Sequence, residues 1–382
     1  MAAGQPTRRA AAPCVREVLD VIDTAFPPAL AEEWDNSGLQ LGDPTASVRR
    51  IGLALDPTLD AVRQVKAKDD SLLICHHPLF FRPPKQLDFS TPSGKIVREA
   101  VAGRVAIAAA HTNADWGVGG TNDMLAELLG LRDVQPFEPL YPHEFRKLTV
   151  FVPASHVEAV SEAIFAAGGG LIGDYAKCSY RLEGHGTYLP LAGADPYAGK
   201  VGALSIEPEV RMEVRVPVAR IDGVLRAMKA AHPYEEVAFD LYPTLRQQPE
   251  GGRGRIGRLP RPSALGAFAK KAARIVKAGA PRRIGEAGQT IENVVVVTGG
   301  GASFIDRMIG RKNAVLVTGD VGYHDACRAR DHGVAVVDLG HYATELPFVN
   351  AMKTLLDREL SALGKAVPVT VCRPAGDPLQ TA

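Results

Sequence analysis

Three apolar runs in this chain end on histidine clusters, and no other feature constrains its fold as tightly. Ser71 to Cys75 runs into His76-His77-Pro78, and Val105 to Ala110 runs into His111-Thr112-Asn113-Ala114-Asp115. Val334 to Asp338 is followed by Gly340-His341-Tyr342-Ala343-Thr344-Glu345. Short continuous apolar runs are the pattern of strands buried on both faces, and open α/β sheets gather ligands at the carboxyl ends of such strands. The intervening segments agree with this layout. Ile51 to Leu55, Asn293 to Val297 and Ala314 to Val317 read as further strands. Val15 to Phe26, Pro57 to Lys66, Asn122 to Leu129, Ser303 to Met308, Val321 to Arg330 and Glu345 to Leu360 read as helices. The expected fold class is α/β, with a core of two similar α/β halves.

Between about Tyr141 and Pro243 the grammar changes. Strands at Leu148 to Val152, Arg211 to Val216 and Val237 to Leu241, with helices at His156 to Ala167 and Val218 to Ala231, predict an inserted α+β domain of ferredoxin-like order. The expected organisation is therefore a first core half over 13–140, an insert over 141–246 and a second core half over 247–375. Gln247 to Gly257, rich in glycine and arginine, reads as a linker or lid.

Charge and cysteine usage narrow the partners. Lys plus Arg number 44 against 43 for Asp plus Glu, and a net charge of +1 argues against a chain that coats nucleic acid or anionic membrane along its whole length. The five cysteines are an odd number without a C-x-x-C pair, which fits a reducing compartment. Met1 to Ala12 carries Arg8 and Arg9 but lacks the apolar core of a secretory signal, and no stretch approaches the ~20 apolar residues of a membrane span. A cytoplasmic protein with no membrane partner is expected.

The histidine clusters carry the chemistry. Imidazole and carboxylate donors without thiolates suit zinc, iron, manganese, cobalt or nickel in an open site. His111 and Asp115, like His341 and Glu345, are spaced by one helical turn, so each pair can face one point. Five or six such donors exceed the needs of one tetrahedral ion and point to two divalent ions roughly 3.5 to 4 Å apart. For His143, His156, His185 and His332, each alone at its position, a hydrogen-bonded structural role is expected. Thr298-Gly299-Gly300-Gly301-Ala302 lacks the spacing of a dinucleotide loop and reads as a strand-to-helix turn. Cys75, at the end of a buried strand, reads as an inert core thiol.

Together, Glu33-Trp34-Asp35-Asn36-Ser37-Gly38, His76-His77-Pro78, His111 to Asp115, Thr318-Gly319-Asp320 with His324, and Gly340 to Glu345 resemble the NIF3-like family, also labelled GTP cyclohydrolase 1 type 2 homolog. The resemblance runs from about Val15 to Leu360. It implies an α/β core with a dinuclear metal centre, assembled as a homohexameric toroid of three dimers. Carried over by position, it implies the metal ligands His76, His77, Asp115, His341 and Glu345, with Glu345 bridging two ions. The middle segment, with His232-Pro233-Tyr234-Glu235-Glu236, is similar to the PII/CutA-like insert of long family members, and that run is weighed as structural or as a chamber wall.

These expectations lead to a metal-dependent hydrolase acting on a nucleotide or phosphorylated small molecule. His111 and His324 are candidate catalytic proton carriers, and Asp35 and Asn36 candidate residues lining the cleft. One charged block breaks the neutral average: Gly251 to Arg283 holds ten basic residues and no acidic one. Its Arg253, Arg255 and Arg258 are candidates to attract phosphate, against the plainer reading of a face neutralised by acidic neighbours. Two further readings stand beside the hydrolase, a non-catalytic metal-binding or regulatory hexamer and a nucleic-acid-binding toroid supported by that block alone.

Overall fold

The computed structural model describes residues 12–67, 70–141, 144–173, 175–244, 251–365 and 367–380; Arg8, Arg9, His143 and the start of the expected linker lie outside them. The chain divides into two compact units, Met1–Leu140 with Pro249–Ala382, and Tyr141–Gln248.

The first unit contains two sheets. One runs in the order Gly38–Leu41, Val105–Ala109, Ser71–Cys75, Arg50–Ala54, Val369–Val371. All its neighbours are parallel except the first pair. Every residue of Ser71–Cys75 and Val105–Ala109 is buried, which explains why both read as unbroken apolar runs. Alternate side chains serve opposite layers. Leu72 and Ile74 pack with the helices Val15–Ala25 and Pro347–Ala362, whereas Leu73 and Cys75 pack with Leu59–Val65 and Pro92–Ala102. Each fully buried aliphatic side chain in these layers contributes roughly 1.5–3 kcal/mol.

The other sheet runs Arg282–Ile284, Ala335–Asp338, Ala314–Gly319, Thr290–Gly300, Gly251–Ala264, Arg132–Leu140. Its inner strands Thr290–Gly300, Ala314–Gly319 and Ala335–Asp338 are parallel; Arg282–Ile284 and Gly251–Ala264 run against them, and Arg132–Leu140 runs against Gly251–Ala264. Helix Leu265–Val276 covers one face, and Ile305–Met308 with Tyr323–Asp331 covers the other.

Two expectations are corrected here. Gly251–Ala264 is no linker or lid but a strand hydrogen-bonded on both sides. Its glycines hide it from a hydropathy reading, yet they are required by packing: a Cβ on Gly251 would stand 2.6 Å from the Trp116 carbonyl oxygen. The single helix expected from Glu345 is instead two, His341–Glu345 and Pro347–Ala362. Pro347 has no N–H to continue the first helix and suits the opening turn of the second.

The second unit is a single antiparallel sheet in the order Ser179–Tyr188, Ser205–Pro217, Phe145–Pro153, Phe239–Pro243. Helices Val157–Ala166 and Ile221–Ala231 bury Val160, Ile164, Val224 and Met228 against Leu148, Val150, Met212 and Val214. Among the described residues, no helix is long and apolar enough to cross a membrane.

Candidate metal centre

Aligned register brings the sequence clusters together. Ser71 pairs with Val105 and Cys75 with Ala109, so the two strands end at the same edge and release His76, His77 and His111 side by side. The peptide N–H groups of His76 and His77 donate to the carbonyls of Ala54 and Leu55, which fixes the backbone beyond the last ladder rung. His111 is the N-cap of the short helix Thr112–Trp116, which carries Asp115 one turn on. From the second sheet, Gly340 turns with φ of 85° to start His341–Glu345. Thr344 accepts the Gly299 N–H at 3.0 Å and so ties that helix to the end of Thr290–Gly300.

Each imidazole is aimed by an acceptor on Nδ1. His76 meets the Ala110 carbonyl at 2.9 Å, His77 meets Asp56 at 2.8 Å, His111 meets Asp35 at 2.8 Å and His341 meets Asp320 at 2.7 Å. Fixing Nδ1 in this way leaves Nε2 free, which is how metal-binding histidines are oriented. The Nε2 atoms converge on carboxylates. That of His76 lies 3.6 Å from Glu345 Oε1 and 3.5 Å from Asp115 Oδ1. Those of His77 and His341 each lie 3.0 Å from Glu345 Oε2, and 3.3 Å from one another. Donor atoms of His76, His77 and His111, of His77, His341 and Glu345, and of His76, Asp115 and Glu345 form three groups, each within 4.8 Å.

The residues fit a cation. His76 Nε2 is buried without a hydrogen-bond partner among the described residues, a cost that a bound cation would remove. The space for one is kept by Gly299, where a Cβ would fall 2.1 Å from Glu345 Oε1 and 3.2 Å from His341 Nε2. Asp115 Oδ1 accepts from the Thr121 hydroxyl at 2.5 Å, with Thr298 Oγ1 at 3.4 Å, which sets the angle of its carboxylate.

Electrostatics couples the imidazoles to the carboxylates they face. Burial opposes charge on His77, but Asp56 and Glu345 push its pKa up to about 10. Glu345, against the effect of burial, and then Asp320 push His341 up to about 9. His76 is likewise raised, because Asp115 and Glu345 overcome its burial. Burial would raise Glu345, yet the surrounding imidazoles hold it well below the carboxylate range, while for Asp115 burial prevails and the shift is upward. The same carboxylates that raise these imidazoles would favour a bound cation.

The cluster opens into a cleft of about 860 Å³ lined by His77, His111, Asp115, His341 and Glu345. Trp34 and Phe81 stand exposed at its rim, both edge-on to His111.

Several sequence candidates lie elsewhere. Asp35 is not a lining residue: its side chain is buried behind His111, accepting also from the Thr112 N–H at 3.0 Å. Asn36 is turned to the Phe80 carbonyl and Gln40. His324 is exposed on the first turn of Tyr323–Asp331, its ring against Tyr323, and does not line the cleft. Arg255 cannot attract phosphate from solution, because it is 2% exposed and spends its guanidinium on Asp123 and the carbonyls of Gly252 and Gly117. Arg258 pairs with Asp133, and Arg282 with Asp338. Arg253 does line the cleft, paired with Glu32. The plainer reading of the basic block therefore accounts for most of its arginines. Cys75 is fully buried, and burial raises its thiol pKa, as an inert core thiol requires. Sequence reasoning missed Asp56 and did not assign Asp320 its role, although each follows a strand end in the same way as the histidines.

Comparisons with known proteins agree on one family. A family model described as Duf34/NIF3 (NGG1p interacting factor 3) matches residues 13–378. The chain is 37% identical over 366 residues to the "GTP cyclohydrolase 1 type 2 homolog" of Mycobacterium leprae, covering 95% of this chain and 94% of that one. The protein of the same name in Bacillus subtilis is 35% identical over 348 residues, covering 91% and 92%. Among solved structures, a Bacillus cereus protein related to NIF3 is 35% identical with a TM-score of 0.69, covering 98% of this chain and 100% of that one. A Staphylococcus aureus protein is 26% identical with a TM-score of 0.77, covering 97% and 99%.

Proposed function

Because the chain belongs to the Duf34/NIF3 (NGG1p interacting factor 3) family, we propose that its cleft holds two divalent ions and hydrolyses a nucleotide or phosphorylated small molecule. One observation carries the reading: the two oxygens of Glu345 face different histidines, Oε1 towards His76 and Oε2 towards His77 and His341. A carboxylate so placed can bridge two ions. His77 and His341 would hold one and His76 and Asp115 the other, each beside Glu345, with His111 within reach of His76 and His77. Bound divalent ions supply a lowered pKa for water and polarisation of a phosphoryl or carbon electrophile.

The chain's own groups do the rest. Asp56, Asp35 and Asp320 keep Nδ1 of His77, His111 and His341 turned away from the centre. Trp34 and Phe81 offer an apolar wall beside it, and Arg253 a cation with which to meet a phosphate. His111 joins the donor set in this reading, and His324 falls outside the reaction. Assembly as a homohexameric toroid belongs to the same proposal, supported by the family. So does the ferredoxin-like, PII/CutA-like character of the insert, supported by its β-α-β-β-α-β connectivity.

The test is metal content together with hydrolysis. Purified protein should carry close to two ions per chain, Glu345→Ala should lose both, and a phosphoester or nucleotide cleaved by the parent should survive the variant. Equal activity in both would reject the hydrolase, and full metal in Glu345→Ala would reject the site.

A further inference from the structure

The second unit carries an open cavity of about 570 Å³ that shares no lining residue with the histidine cleft. Its walls include Tyr188, Tyr197 and Tyr234 together with Glu209, Glu235 and Glu236. The rings form a partial box: Tyr188 and Tyr234 have centroids 6.2 Å apart at 60°, and Tyr197 and Tyr234 5.9 Å apart at 43°. Hydrogen bonds hold two of them in place. The Tyr234 hydroxyl donates to Glu209 at 2.9 Å, and the Tyr188 hydroxyl donates to the Ala198 carbonyl at 2.9 Å.

Glu209 is the unusual member. It is only 9% exposed, and its hydrogen-bond partner is a neutral phenol. Room for its carboxylate is made by Gly186 on the neighbouring strand, where a Cβ would stand 2.2 Å from Oε2. No lysine or arginine is found among the residues lining the cavity. His185 is the one basic side chain among the lining residues, and burial lowers the pKa of the neighbouring His232. A nearly buried carboxylate beside aromatic faces, with no lysine or arginine lining the cavity, therefore disfavours anions and stabilises a positive charge. A hydrated metal ion would gain nothing from the rings, whereas an alkylammonium ion gains from both the rings and the carboxylate.

We propose that this cavity binds a small organic ammonium ion, its charged head against Tyr188, Tyr197, Tyr234 and Glu209 and its apolar part against Leu189 and Leu191.

Calorimetric titration of the full-length, metal-loaded protein with choline tests this, beside the neutral isostere in which carbon replaces the quaternary nitrogen. Choline should bind at least about tenfold more tightly than the isostere. Glu209→Gln and Tyr197→Ala should each weaken it by about tenfold. Glu183→Gln, an exposed carboxylate outside the cavity, should leave it unchanged. Tyr197 is about half exposed, so that variant should fold even if Glu209→Gln does not. The proposal is overturned if choline and its isostere bind alike, or if choline shows no binding up to about 10 mM. It fails equally if magnesium displaces choline, or if both cavity variants bind as the parent does.

Discussion

The two sheets of the first unit supply the candidate metal centre by different means. The five-stranded sheet gives His76, which is fully buried and tied to a backbone carbonyl, and His111 and Asp115, which are almost as deep. The six-stranded sheet gives His341, whose side chain is 35% exposed and tied to Asp320, itself 49% exposed. One side is set by strand register and core packing. The other rests on a glycine turn and a solvent-facing carboxylate, a support that His77 of the first sheet shares through Asp56, 46% exposed. Glu345 joins the two: it comes from the more exposed side but is 3% exposed and meets donors from both.

This contrast can be broken by substitution. His76→Ala should have the largest effect, removing a donor and leaving a hole under the buried sheet edge. Metal content by elemental analysis should fall to one ion or none, and the melting temperature of the chelated protein should drop, by about 2–4 kcal/mol of stability. His341→Ala should lose metal with little change in that melting temperature. If the two variants melt alike, the asymmetry is wrong. Gly299→Ala should come next, because its Cβ would press on Glu345 Oε1 and the residue sits at φ +63°. Metal affinity in a competition assay should fall while secondary structure stays intact.

The orienting carboxylates give a smaller and graded effect. Asp56→Asn and Asp320→Asn should each weaken metal binding by about 10–100-fold. Neither should shift the melting temperature of the metal-free protein as far as His76→Ala does.

Dependence on pH should be the mildest effect. The folded pKa values of His77 and His341, about 10 and about 9, lie above the ordinary histidine value. The stability they contribute to the metal-free protein is therefore complete below about pH 6.5 and lost as pH rises through the folded values. Melting of the chelated protein should weaken between pH 7 and 10, while the metal-loaded form should change less. Loading at pH 7 should release protons, and affinity should rise with pH. A flat profile for the chelated protein would show that these imidazoles carry no extra proton.

The strand ends that carry His76, His77, His111 and Asp115 were readable because strands buried on both faces leave an unbroken apolar run that stops where the ligands start. Gly251–Ala264 was not, because glycines required for close packing and arginines neutralised by distant carboxylates look like a loop when read locally. Arg255 shows the limit clearly: its charge suggests solvent, and Asp123, 132 residues away in sequence, together with the carbonyls of Gly252 and Gly117, makes its burial tolerable. His324 and Asp35 fail in the same way, one near the motif but outside the cleft, the other in the motif but behind the ligand it positions.

Hydrophobic periodicity and residue chemistry determined the α/β class and the clusters of candidate donors at strand ends, because each is a property of a short stretch of chain. Tertiary structure alone decided which donors share a point, which carboxylates aim them, that most of the arginines of the basic block are paired away, and that a second, uncompensated carboxylate lies among tyrosines. Those outcomes depend on partners far apart in sequence, and proximity between such partners is created only by folding.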